Sequence, residues 1–176
     1  MISKLRVLFP FLATFLFLSS CIASKSMTEN DKEAYRILNT ISGRPVNNHI
    51  YYRTLNNING DFVLSDYIKP GLLDVSFCDK SIDKSNILKD SDYKFIRRRL
   101  KELKSVKIDN SLIKNKSVII KSKGKSNTIF MTFPIIFNNG KYAIFYLEAR
   151  YGGEFTLLKK DRNKWERICS SGVWIE

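Results

Sequence analysis

Beyond Lys116 the chain holds five segments rich in branched and aromatic residues, and the gaps between them are short. The segments are SVIIKS, TIFMTFPII, KYAIFYLEA, EFTLLKK and KWERIC. Such residues suit a pleated, half-buried surface. Asn139-Gly140, Gly152-Gly153 and Asp161-Arg162-Asn163 are hairpin-like connections between the later ones. A parallel crossover needs a dozen or more residues, so these strands must run antiparallel. Pro134 lacks an amide donor, which places TIFMTFPII at a sheet edge or at a bulge. This pattern predicts an α+β fold, an antiparallel meander of about 4–5 strands packed with two helices on one face.

The helices come from upstream. Thr28-Glu29-Asn30-Asp31 has a capping hydroxyl followed by an acid three residues on. Ala34, Ile37, Leu38 and Ile41 then share one helical face, and Gly43-Arg44-Pro45 ends the run. A second helix is capped by Asp90-Ser91 or Asp92. Tyr93, Ile96, Leu100 and Leu103 form its apolar stripe, with Arg97, Arg98, Lys101 and Lys104 on the outward side. Between Val46 and Lys89, turn signals at Asn56-Asn57 and Asn59-Gly60 interrupt short apolar groups. Loops with one or two short elements are expected there.

At the other end, Lys4 and Arg6 precede an apolar run from Val7 to Leu18 that contains Pro10. The run is short of the roughly 20 residues a spanning helix needs. It fits the h-region of a secretory signal, typically about 7–15 residues. Leu18-Ser19-Ser20-Cys21 resembles the lipobox of bacterial lipoproteins. That resemblance implies cleavage before Cys21 and acylation of its thiol, and Ile22 rather than Asp after it implies the outer membrane. The expected organisation is a cleaved signal peptide over 1–20, a lipidated tether over 21–28 and one α+β domain over 29–176. Two cysteines remain, Cys78 and Cys169. In an exported chain they are a disulfide candidate, with two buried thiols as the alternative.

The formal net charge is +13, and it is uneven. Between Lys89 and Lys125, thirteen Lys or Arg face only Asp90, Asp92, Glu102 and Asp109. Export argues against a nucleic-acid partner. Anionic lipid, a cell-wall polymer or an acidic protein are the candidate partners for Arg97, Arg98, Lys101 and Lys104. A solvated lysine-rich face is the other reading.

No catalytic motif emerges. His49 is the single histidine, which excludes a multi-histidine metal site within one chain, and no cofactor is expected. HExxH, a nucleophile elbow, a phosphate loop and paired CxxC spacings are absent. Glu148 and Glu154 are the most tempting carboxylate pair. A Gly152-Gly153 turn would pair Tyr151 with Glu154 and Glu148 with Leu157, which points the two acids to opposite faces. Tyr142, Tyr146, Glu148 and Arg150 share one face, with Phe155 and Lys159 across from them. They either line a binding groove or complete the core beneath a helix.

The C-terminal region also resembles that of small uncharacterised lipoproteins and secreted proteins of Gram-negative bacteria. The matching positions are Phe137, Gly140, Lys141, Tyr142, Ala143, Leu157, Leu158, Lys159, Lys160, Lys164, Trp165 and Trp174. The resemblance implies a fold and no activity. The reading is therefore a lipid-anchored, non-enzymatic binding or structural module at the outer membrane. The alternatives are an inhibitor or immunity protein acting on a toxin or cell-wall enzyme, and a carboxylate hydrolase.

Overall fold

The fold is known from a computed structural model, which describes residues 27–43, 49–59, 62–72, 77–79, 82–83, 87–121 and 127–175. The expected signal peptide, Cys21 and the tether as far as Ser26 lie outside the described residues.

Helix α1 (Glu29–Ser42) begins as its sequence dictates. The Thr28 hydroxyl accepts from the Asp31 amide at 3.1 Å, and the Asp31 carboxylate accepts from the Thr28 amide at 3.2 Å. Two orphan donors of the first turn are thereby satisfied. Ala34, Ile37 and Leu38 are wholly buried. Short strand β1 (His49–Tyr51), a small hairpin of β2 (Ile58–Asn59) and β3 (Phe62–Val63), one helical turn α2 (Leu64–Tyr67) and β4 (Phe77–Cys78) follow. Helix α3 (Asp90–Glu102) is closed at its start by Asp92, whose carboxylate accepts from the Lys89 amide at 2.9 Å. Its stripe residues Tyr93, Ile96 and Leu100 are buried. Strands β5 (Ile119–Ile120), β6 (Thr128–Met131), β7 (Ile135–Phe137), β8 (Tyr142–Ala149), β9 (Gly152–Asp161) and β10 (Lys164–Ile175) complete the described chain.

The α and β elements form a mixed architecture around an 8-stranded, mostly antiparallel sheet, in the order β4-β10-β9-β8-β6-β1-β5 with β7 also on β8. A meander of 4–5 strands is therefore too small a description. The expected hairpins from β6 to β10 are present, and the sheet continues beyond them on both sides. SVIIKS does not pair with TIFMTFPII. Instead β1, from the stretch read as loops, lies between β5 and β6 and is parallel to both. Ile50 pairs with Ile119 on one side and Ile129 on the other, and is 2% exposed.

Pro134 marks a bulge. Met131 pairs with Leu147 and Ile135 with Ile144, so residues 132–134 oppose only 145–146. Thr132 repairs the ladder there. Its hydroxyl accepts from the Tyr146 amide at 3.0 Å, and its own amide donates to the Tyr146 carbonyl at 2.9 Å.

The helices do not share a face. Helix α3 packs with α2 residues on Ile144, Tyr146, Phe155 and Leu157. Helix α1 packs on the alternate residues Ala143, Phe145 and Leu158, with Trp165. Alternation along β8 and β9 puts these sets on opposite faces, so the sheet is sandwiched between helices. Asn39 fastens the segment after α3 onto α1. Its amide donates to the Leu112 carbonyl at 2.9 Å, and its carbonyl accepts from the Lys114 amide at 2.7 Å. Ile108 and Ile113 are buried on that side as a result.

The β8–β9 turn is also shifted. Ala149 pairs with Gly152, which leaves Arg150-Tyr151 as the connection and draws both glycines into β9. The expected register would have set Tyr146 against Lys159 and Ile144 against Asp161. The observed one sets them against Phe155 and Leu157, and the Tyr146 and Phe155 rings lie 5.4 Å apart. Apolar pairing decides the register.

Candidate functional site

Glu33 on α1 is a buried carboxylate, 6% exposed. Its carboxylate accepts from Trp165 Nε1 at 3.0 Å and from Lys160 Nζ at 3.0 Å, and it pairs with Arg36 one turn along the helix. The hairpin from β9 to β10 supplies two of these groups, because Trp165 pairs with Lys160 across it. The Lys160 ammonium also lies 5.7 Å from the centre of the Trp165 ring. Burial pushes the Glu33 carboxyl up. The hydrogen bonds from Lys160 and Trp165, with the charges of Lys160 and Arg36, outweigh that and hold it below the ordinary 4.5.

Glu33, Arg36 and Lys160 form one wall of an open cleft of about 1030 Å³. The β7–β8 turn borders it with Asn138, Asn139 and Gly140, all in left-handed backbone conformation. Ser91, Asp92 and Phe95 of α3 stand opposite. Asp92 is committed there too, since its carboxylate accepts from Asn138 Nδ2 at 3.3 Å. The cleft thus offers amides, a hydroxyl, aromatic edges and cations, with its carboxylates already engaged. That inventory can hold a polar or charged ligand.

The residues singled out from sequence fall elsewhere. Tyr142, Tyr146 and Glu148 share a face, and none of them lines the clefts described here. Tyr146 is fully buried beneath α3 and donates its hydroxyl proton to Glu148 at 3.2 Å. Tyr142 stacks on Phe137 at 5.8 Å, and Arg150 sits in the exposed turn with its guanidinium 5.3 Å from the Tyr151 ring centre. Glu148 and Glu154 point to opposite faces despite the shifted register, because the slip is even. Glu154 accepts from the Thr156 hydroxyl at 3.2 Å. His49 stands within the sheet opposite Thr128. Among the described residues, no group of three or more His, Cys, Asp or Glu converges as a metal site.

The basic side of α3 is not uniform. Arg98 and Lys101 are exposed, and Lys104 is exposed beyond the helix, which ends at Glu102, whereas Arg97 turns inward and donates Nε and Nη2 to the Ile68 carbonyl at 3.1 and 2.7 Å. It satisfies the end of α2 and does not belong to an outward surface. Arg97→Ala is expected to lower unfolding stability by about 1–2 kcal/mol, because it orphans a buried carbonyl. Reversing Arg98, Lys101 and Lys104 together is expected to change it by less than about 1 kcal/mol. Thermal unfolding checks both, and equal losses would return Arg97 to the solvated charges.

Cys78 and Cys169 are bonded. They are cross-strand partners on β4 and β10, with α-carbons 4.0 Å apart. No helix of the described residues is long and apolar enough to cross a membrane. Comparison with protein families, with curated proteins and with solved structures finds no match to this chain.

The Glu33 cluster and the cleft beside it escaped the sequence reading. One signal was available. Glu33 falls in the same helical sector as Ile37 and Ile41, so an acid sits on a buried stripe, where it must find partners.

Proposed function

We propose that this protein is a lipid-anchored envelope protein whose folded part is a non-enzymatic binding module. The observation that carries the reading is Leu18-Ser19-Ser20-Cys21 at the end of the apolar run from Val7. The bonded Cys78 and Cys169 support it, because structural disulfides belong to oxidising compartments. The cleft supports the binding half, being rich in hydrogen-bonding groups whose acids are already engaged. Ile22 after the cysteine favours the outer membrane, and the likeness to small Gram-negative lipoproteins is part of the same proposal. Each buried methylene of an acyl chain contributes about 0.8 kcal/mol, so two or three chains hold a protein on a bilayer durably.

Cys21→Ala tests the anchor. Wild-type protein should incorporate a fatty-acid analogue and pellet with membranes, while the variant should remain unlabelled and be soluble or unprocessed. Labelling that persists in the variant sinks the anchor.

A further inference from the structure

Strand β7 pairs only with β8 among the described residues, so its other edge carries no strand. That edge is the floor of a trough. The 1030 Å³ cleft and a neighbouring one of about 510 Å³ both run along it, and they share Asn30, Phe95 and Ile136. The first turns of α1 form one wall and α3 the other. An extended chain lying there would meet a sheet edge below and a helix on each side, the geometry of strand addition.

The walls state which charge it should carry. Five carboxylates line the two clefts, and each is already engaged within the fold. Glu29 pairs with Lys32, and Asp31 closes the α1 cap. Glu33 holds Arg36 and Lys160, Asp92 closes the α3 start, and Glu102 pairs with Arg99. Arg98, Lys141 and Arg162 line the same clefts and are exposed, and among the described residues none of the three has a carboxylate within ion-pair distance. Two of them lie over rings, Arg98 over Phe95 at 5.8 Å and Lys141 over Tyr142 at 5.5 Å. Asp31 and Asp92 accept from uncharged donors and keep their charge, so six cations face five carboxylates and the lining is net positive by one, with its unpaired cations at Arg98, Lys141 and Arg162.

We infer that the trough takes an extended acidic segment of a partner protein, added as a strand to the free edge of β7 between α1 and α3. The inference rests on the binding-module reading and names the partner's chemistry. Residues of such a strand alternate, so one set would face the α1 wall and the other the α3 wall, where Phe95 and Arg98 lie. Pro134 limits where pairing starts, since it offers no donor.

The test uses the full chain in neutral detergent and a capped peptide of alternating Val and Glu carrying a fluorophore. Binding should be measurable at low salt and weaken as salt rises. A Val-Lys counterpart should bind at least about tenfold more weakly, as should the Val-Glu peptide against the Arg98→Glu, Lys141→Glu, Arg162→Glu variant. The same Val-Glu peptide with alternate amides N-methylated keeps its charge and loses its ladder donors, and it too should lose about tenfold. An N-methylated peptide that binds as well as the parent overturns strand addition without any change to the protein. Equal binding of the Val-Lys peptide, or none of either, overturns the acidic specificity. Phosphatidylglycerol vesicles that displace the peptide through the same three cations would make the site a lipid site and overturn it as well. Labelling at Cys21 is read separately, so the trough and the anchor fail independently.

Discussion

Removing the Cys78–Cys169 bond is expected to lower unfolding stability by about 4 kcal/mol. In the chain-entropy model a cross-link closing on the order of 100 residues contributes about 4–5 kcal/mol, and the separation here is 91. Local structure points the same way. Strand β4 is two residues long and, among the described residues, pairs only with β10, so the bond does what a longer ladder would otherwise do. Cys169 is 2% exposed and packs in the cluster beneath α3, so its replacement also leaves a small void. The Cys78→Ala, Cys169→Ala variant should show a matching drop in denaturant midpoint, and reductant should lower the wild type alone. A wild-type loss of less than about 1 kcal/mol on reduction would show that β4 is held by its other contacts.

The parts of this fold that were legible are those with a strong local period or a short connection. Helices α1 and α3 follow from apolar residues at three- and four-residue steps, and the Thr28 and Asp31 cap follows from two side chains. The hairpins from β7 to β10 follow because their connections are too short for any other arrangement. Strand β1 was hidden by its length. Three residues, His49–Tyr51, carry no period, and their strand character comes from parallel neighbours far along the chain. The opposite placement of the helices did leave a trace. Segments such as AIFYL are apolar at consecutive positions, and a strand covered on one side only would alternate. The β8–β9 register failed by giving turn chemistry priority over packing. Gly152 and Gly153 look like a turn, yet the partners they would impose bring Lys159 and Asp161 against buried side chains. Arg97 failed for a similar reason, since its position on the helix says nothing of the Ile68 carbonyl beside it.

Glu33 carries the second large effect, and its sign with pH is set by its partners. Glu33→Ala removes the acceptor of the buried Trp165 indole and the counter-charge of Lys160 at once. Breaking a fully buried ion pair costs about 3–5 kcal/mol, mostly through the charge left behind. Here the Lys160 side chain is 23% exposed and that of Arg36 is 55% exposed, so both can regain water. The expected loss is therefore smaller, about 2–3 kcal/mol, most of it from the orphaned indole N–H and the void around it. Glu33→Gln keeps a carbonyl for Trp165 and should lose about half as much. The carboxyl is held below its ordinary 4.5 in the folded state, so folding favours the ionised form. Its contribution is complete above the unfolded value and disappears as pH falls through the folded one. Wild-type stability should thus decline below about pH 4.5 more steeply than that of Glu33→Gln, and the two curves should converge in acid. Denaturant titrations across that range measure the difference, and curves that stay parallel to the lowest pH would show that Glu33 is held by packing alone.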